Sequence, residues 1–333
     1  MARLVVGPLL RHADENSAAV WVETDAPCRV SILGAATHTF TVHGHHYALV
    51  EVEGLAPGSA TPYTVELDGE RVWPEPGTAG YPPSRIRTLT RGGRLRFVIG
   101  SCRTSAPHDG VDLLTHGPDA LRAYAYRVAD EPDGDWPTLL LLLGDQVYAD
   151  TPPAEVREFI RSRRDVGEEP GEEIADFEEY AELYRLAWSD PAVRWLMSTV
   201  STAMIFDDHD LRDDWNTSAA WRDTMLRLPW WRRRVVAGLG SYWLYQHLGN
   251  LPPAERAGDP LFRALRAGDG AEALDAFAWS ADQNPKQNRW SFAQDFGGTR
   301  LVILDSRCAR ELEPGRREML DSGEWAWFDG LAT

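Results

Sequence analysis

The unbroken run Leu139-Leu140-Leu141-Leu142-Leu143 constrains this chain more than any other feature of its sequence. Pro137 lies just before it and Gly144 follows it, so the run is too short for an ordinary helix. A continuous apolar stretch of this length between turn signals reads as a strand buried on both faces, the kind that parallel sheets covered by helices require. The run stops abruptly on Gly144 and Asp145, with Tyr148 three residues further on. A carboxylate at the mouth of an apolar strand is costly unless something compensates it. Other strands should therefore be checked for similar endings.

Three other strand-like runs end on polar groups. "LRFVIGSC" stops at Cys102, "TAMIFDDHD" at Asp207 to Asp210, and "TRLVILDSR" at Asp305. Helix-like segments separate the strands, among them "IADFEEYAELYRLAWSDPAVRWLMS" and "RRRVVAGLGSYWLYQHL". This alternation predicts an α/β domain over residues 91–333. Residues 1–90 read differently. Short alternating runs such as "SAAVWVET", "THTFTVHG" and "YALVEVEGL", separated by Gly, Pro and Asp turns, predict an all-β sandwich. Its type is fibronectin- or Ig-like, because "GLAPGSATPYTVEL" sets Tyr63 behind a Leu-x-Pro-Gly turn. That resembles the corner in which a tyrosine hydroxyl closes a turn. "WPEPGTAGYPPSRIRTLTRGG" reads as a linker.

Composition excludes several classes. With 43% hydrophobic and 26% charged residues the chain is an ordinary globular protein. No apolar run approaches the roughly 18–20 residues that span a bilayer. The start, "MARLVVGPLLRHADENSAAVWVE", has no apolar leader core, so a cytoplasmic location is expected unless a leader has been removed. A formal charge of −17 argues against a nucleic-acid surface. It also means that an anionic substrate would need local cations. Metals could supply them, as could Arg232, Arg233 and Arg234, although such a triplet reads first as a solvated helix face. Cys28, Cys102 and Cys308 make no disulfide framework.

Open α/β sheets bind ligands beyond the carboxyl ends of their strands. That edge would receive the Cys102 thiol, the Asp145 carboxylate with the Tyr148 phenol, and "IFDDHDLRDDWN", which sets five carboxylates around His209. Repulsion of that density requires cations or hydrogen bonds. His43 and His45 of "TFTVHGHHY" read as solvent-facing strand histidines. No phosphate-binding loop and no Gly-x-Ser-x-Gly elbow occurs. A cysteine phosphatase would need an arginine where His108 stands. "DHD" keeps an aspartyl-phosphate mechanism at Asp208 open as a rival.

Together "FVIGSC", "LLGDQVYAD", "FDDHDLRDDWN", "RRRVVAGLGSYWLYQHL" and "LVILDSR", in that order behind a β-sandwich, resemble the PhoD-like alkaline phosphatases of the calcineurin-like metallophosphoesterase superfamily. The resemblance implies an αββα metallophosphatase-type sandwich and metal-dependent hydrolysis of phosphate monoesters or diesters at a dinuclear centre. It implies Fe3+ and Ca2+, with Mn2+ or Zn2+ as other pairs. It places Cys102, Asp145 and Tyr148 on the iron, Asp145 as the bridge, Asp208 and Asp213 among the metal ligands, and Asp208 with His209 in catalysis. Arg234 is the helix arginine it assigns to phosphate. The family's further Gly-Asp-Val-His strand has no counterpart before the chain stops at "SGEWAWFDGLAT", so a C-terminal segment of the same protein is expected to complete the site. The alternative is a non-catalytic binding module on an incomplete phosphatase scaffold. The expected partner is a small phosphate ester, with no membrane.

Overall fold

The computed structural model describes residues 1–105 and 110–331, so His108 lies outside the described residues. Ten strands come first: β1 (Leu4–Ala13), β2 (Ala18–Thr24), β3 (Arg29–Ile32), β4 (Ala35–His38), β5 (Phe40–Val42), β6 (His45–Val52), β7 (Ala60–Pro62), β8 (Val65–Leu67), β9 (Glu70–Trp73) and β10 (Arg85–Arg87). They build two four-stranded antiparallel sheets, ordered β1-β2-β6-β5 and β4-β3-β8-β9, with a small β10-β7 pair beside them. The stretch expected as a linker therefore contributes a strand, β10, whose register pairs Ile86 with Thr61.

Side chains on successive strand residues point to opposite faces. On the first sheet Leu10, Val20, Val22, Ala48 and Val50 face the second sheet, where they meet Val30, Ile32, Val65 and Trp73. The intervening residues Leu9, Trp21, Tyr47 and Leu49 belong to a different cluster, shared with Tyr184, Trp188 and Tyr245 of the α/β part. Every residue of β2 is buried as a result. Alternation in "AAVWVET" thus separates two apolar environments, where the usual strand separates core from water. Burying side chains the size of Trp21 or Leu49 contributes about 1.5–3 kcal/mol each.

Polar contacts fix the same junction. Arg11 is fully buried on β1, and its guanidinium donates to the carbonyls of Tyr245 at 3.0 Å and Gln246 at 2.5 Å and to Asn250 Oδ1 at 2.9 Å. Those carbonyls end a helical segment, where a cation meets the negative end of the backbone dipoles. Burial, with the Arg256 charge adding to it, lowers the Arg11 pKa to about 9. Tyr63 does not close its own corner. Its hydroxyl donates to the carbonyl of Ser198 at 2.5 Å, in the helix Pro191–Thr199. His43 and His45 also depart from expectation. His43 Nε2 lies 2.8 Å from Asp275, while His45 sits between Glu23 at 2.8 Å and Glu178 at 3.0 Å. Glu178 and Asp275 are remote in the chain, so strand periodicity carried no sign of them.

The α/β part centres on three parallel strands, β11 (Phe97–Gly100), β12 (Leu139–Leu143) and β13 (Thr202–Ile205), in the order β11-β12-β13. The leucine run is β12, the middle strand, and its first four residues are buried. Leu140, Leu142 and Met204 point into the large core with the helices. Leu139, Leu141, Ala203 and Ile205 pack on the other face against the hairpin of β14 (Phe292–Phe296) and β15 (Thr299–Ile303), through Phe292, Phe296 and Ile303. The strand leading to Asp305 is therefore half of a hairpin facing the parallel sheet. Among the described residues no helix is long and apolar enough to cross a membrane.

Burial works against a charge on His45, but Glu23 and Glu178 outweigh it and raise its pKa above the ordinary 6.5. A raised folded-state value stabilises fully below the unfolded value, and that stability is lost as pH rises through the folded value. Urea denaturation of His45→Gln against the native chain should show a deficit of about 1 kcal/mol at pH 6. The deficit should shrink steadily toward pH 9. A deficit independent of pH would remove the ion pairs from the junction.

Candidate metal centre

Two strand ends turn sharply to build the site. β12 ends on Gly144 at φ +93°, followed by Asp145 at +49°, and β11 runs into Cys102 at +56°. The ladder continues past the strands, with Cys102 N donating to Gly144 O at 3.2 Å and Arg103 N to Asp145 O at 3.1 Å. A Cβ on Gly144 would collide with the Cβ of Asp207, so glycine is required on both conformational and steric grounds. Asp145 and Cys102 have no such freedom. Left-handed backbone at a residue with a side chain costs of order 1–3 kcal/mol.

Asp210 ties the exit of β12 to that of β13. Its Oδ2 accepts from the backbone N–H of Asp145 at 2.8 Å and of Asp207 at 3.0 Å, and Gln246 donates to its Oδ1 at 3.2 Å. Tyr180 donates to its carbonyl at 2.9 Å. Burial, followed by the charge of Asp145, pushes the Asp210 pKa well above the carboxylate range against these donors.

With Asp210 directed inward, its neighbours face the strand mouths. His209 N donates to Asp145 Oδ1 at 3.2 Å, and His209 Nδ1 lies 2.9 Å from Asp150 Oδ2. Asp150 Oδ2 also accepts from Asp213 N at 2.7 Å. The His209 ring lies against Tyr148, centroids 4.7 Å apart. A carboxylate at Nδ1 fixes the proton there and leaves Nε2, 3.7 Å from Asp213 Oδ1, as the available atom. Burial opposes a charge on His209, but Asp150, Asp145 and Asp208 raise its pKa overall.

Cys102, Asp145 and Tyr148 lie close enough for each to shift the ionisation of a neighbour. Burial, then Asp207, raises the Asp145 pKa despite the Cys102 hydrogen bond. Burial, then Asp145 and Cys102, raises that of Tyr148. A Ser101 hydrogen bond lowers that of Cys102, but burial and the nearby carboxylates raise it on balance. All three donors are thus held toward their protonated forms by burial and then by crowded negative charge, a bias that a bound cation inverts. Ligand atoms of Asp145, Asp208 and His209 lie within 4.8 Å of one another, as do those of Asp208, Asp213 and Asp214. The donor set fits a metal ion.

Sequence reasoning missed two residues. Asp150, which orients His209, stood in the quoted "GDQVYAD" but had no periodicity to single it out. Arg307 follows Asp305 by two residues, and its guanidinium pairs with Asp207 Oδ1 and, at 3.0 Å, with Asp208 Oδ2. Arg234 is placed elsewhere. Its side chain is fully buried, with Nε donating to Ile174 O at 2.6 Å and Nη1 to Glu173 at 2.6 Å, and it does not reach the strand mouths. Arg232 and Arg233 are exposed, as a solvated face requires.

Gly144→Ala should cost about 2–4 kcal/mol through the left-handed turn and the clash with Asp207. Urea denaturation reads this directly, and a change under 1 kcal/mol would mean that the turn relaxes freely.

The profile of a domain of unknown function (DUF7800) matches residues 1–86. No curated protein matches the chain. A solved structure described as "Structure of PhoD" superimposes with a TM-score of 0.61 at 15% identity, which shows a shared fold. The match covers 99% of this chain and 60% of that one, so the chain spans little more than half the length of that protein. The PhoD-like phosphatase profile matches residues 116–315, the greater part of the chain and the stretch that carries Asp145, Tyr148, Asp208, His209 and Arg307; the chain belongs to the PhoD-like phosphatase family.

Proposed function

We propose that this protein hydrolyses phosphate esters at a dinuclear metal centre held by Cys102, Asp145, Tyr148, Asp208 and Asp213. The observation that carries the reading is the convergence of His209 with the carboxylates of Asp145, Asp208 and Asp213 at the mouths of adjacent parallel strands, in a chain of this family, with Cys102 and Tyr148 beside Asp145. Thiolate and phenolate suit a ferric ion and carboxylates suit calcium, so Fe3+ with Ca2+ is the proposed pair, and Mn2+ or Zn2+ the substitutes. Bound cations would supply Lewis acidity and offset charge on the phosphoryl oxygens. The parallel sheet and the β14–β15 hairpin are, on this reading, the two β layers of an αββα metallophosphatase sandwich. An Asp and a His from a further segment of the same protein would complete the ligand set.

The chain's own residues do the rest. Asp150 holds the His209 Nδ1 proton, so Nε2 faces outward to exchange a proton with the departing oxygen of the ester. Contact with Tyr148 keeps that imidazole from rotating. Asp208 keeps Oδ2 tied to Asp214 N and Arg307, which leaves Oδ1 to face the cluster. A second reading, a non-catalytic recognition module, is favoured by one observation: Arg307 already neutralises Asp207 and Asp208.

Elemental analysis of the purified chain beside hydrolysis of p-nitrophenyl phosphate separates the readings. The expected result is bound iron with turnover, and loss of metal together with a rate reduction of at least about 100-fold in Asp145→Ala. Retention of both in that variant would place the centre elsewhere. A native chain with neither metal nor turnover would favour the recognition module.

A further inference from the structure

We propose that Arg310, on the turn that also carries Arg307, forms an anion subsite beside the candidate centre that selects phosphate monoester dianions over diester monoanions; this rests on the phosphate-ester reading above. The turn that carries both arginines is built rigidly. Asp305, 1% exposed, accepts from the backbone N–H of Arg307 at 2.7 Å, Cys308 at 2.9 Å and Ala309 at 3.3 Å. Its own N–H donates to Ser291 Oγ at 2.8 Å. Three amides gathered on one buried carboxylate fix the direction in which the following side chains leave the turn.

The two guanidinium groups are used differently. Arg307 is spent within the protein, on Asp207 and Asp208. Arg310 donates only its Nε, to the carbonyl of Ser306, and pairs with no carboxylate among the described residues. This is unusual in a chain with 51 acidic residues against 34 Lys and Arg. Arg103, Arg194, Arg222 and Arg256, comparably or more deeply buried, each meet a carboxylate within 3.2 Å. Arg11, which meets none, is satisfied by carbonyls and an amide oxygen. Arg310 is half-buried with both terminal nitrogens uncommitted among the described residues, and the charges it interacts with are Arg307, Asp207, Asp208 and Asp305, the edge of the candidate centre. Burial, then the Arg307 charge, lowers its pKa, so the position is costly until an anion arrives.

The supply of charge decides which anion fits. A phosphate monoester near pH 8 carries two negative charges and a diester one. Arg307 is already committed to Asp207 and Asp208, so Arg310 is the one cation of the turn left to an incoming anion, which matches the single charge that distinguishes the two esters. A guanidinium also presents two parallel N–H groups to phosphoryl oxygens, which an ammonium cannot do. Discrimination then arises from a charge left unmatched in the wrong complex.

Isothermal titration of the full chain at pH 8, with Mn2+ and separately with EDTA, against phenyl phosphate and methyl phenyl phosphate tests the assignment. The native chain should bind the monoester more tightly. Arg310→Gln should weaken phenyl phosphate about tenfold and methyl phenyl phosphate less than about twofold. Arg310→Met is a second neutral variant that keeps the stem, should the first lose its native near-ultraviolet circular dichroism. Arg310→Lys should recover part of the preference by restoring charge. Equal weakening of both esters, or of neither, overturns the role of Arg310 while the phosphate-ester reading stands. A native chain that binds neither ester in either condition overturns both.

Discussion

One carboxylate organises the site. Asp210 takes the amides of Asp145 and Asp207 on a single oxygen, tying the exits of two neighbouring strands. Without it, two buried donors would lose their partner, at about 1–3 kcal/mol each. The tie is anchored from behind by Gln246 and Tyr180, and the carbonyl of Gln246 is also an acceptor for Arg11 of the sandwich. The position of Asp145 and His209 is thus inherited from the core through a continuous set of buried polar contacts, and both sit on the ends of regular elements.

What the core stabilises, the site spends. Cys102 and Asp145 adopt backbone conformations that residues with side chains rarely take. The charges of Asp207 and Asp208 bear on Asp145 closely enough to help raise its pKa. Arg307 is the structure's internal answer to that repulsion, and Asp150 holds the histidine of the cluster, His209. Such local departures gather where function outweighs stability.

The sequence was most readable where a rule of periodicity applied. The leucine run, its bounding Pro and Gly, and the polar strand endings led to the parallel sheet and to the residues at its mouth, because chain direction and short range determine both. Partners brought in by tertiary packing were not readable. Glu178 beside His45, Ser198 beside Tyr63 and Arg307 beside Asp208 lie far apart in the chain, and no local pattern records them. Arg234 is an instructive intermediate. Trp231, Arg234 and Val235 share the i, i+3, i+4 spacing of a buried helix face, a pattern that sets Arg234 apart from Arg232 and Arg233 although the triplet as a run of charge reads first as a solvated face. Strand β2 misleads for the opposite reason: alternation is a reliable sign of two faces but does not say what lies on either.

That doubly covered strand has a consequence for how the molecule comes apart. A boundary near residue 90 is clear in composition, yet the first sheet shares one apolar cluster with the α/β helices and supplies the buried Arg11 that ends one of them. Covalent continuity through the Pro- and Gly-rich stretch is therefore the least of what joins the two parts. A protease that nicks this stretch would leave two fragments still clasped, migrating as one body until a denaturant separates them.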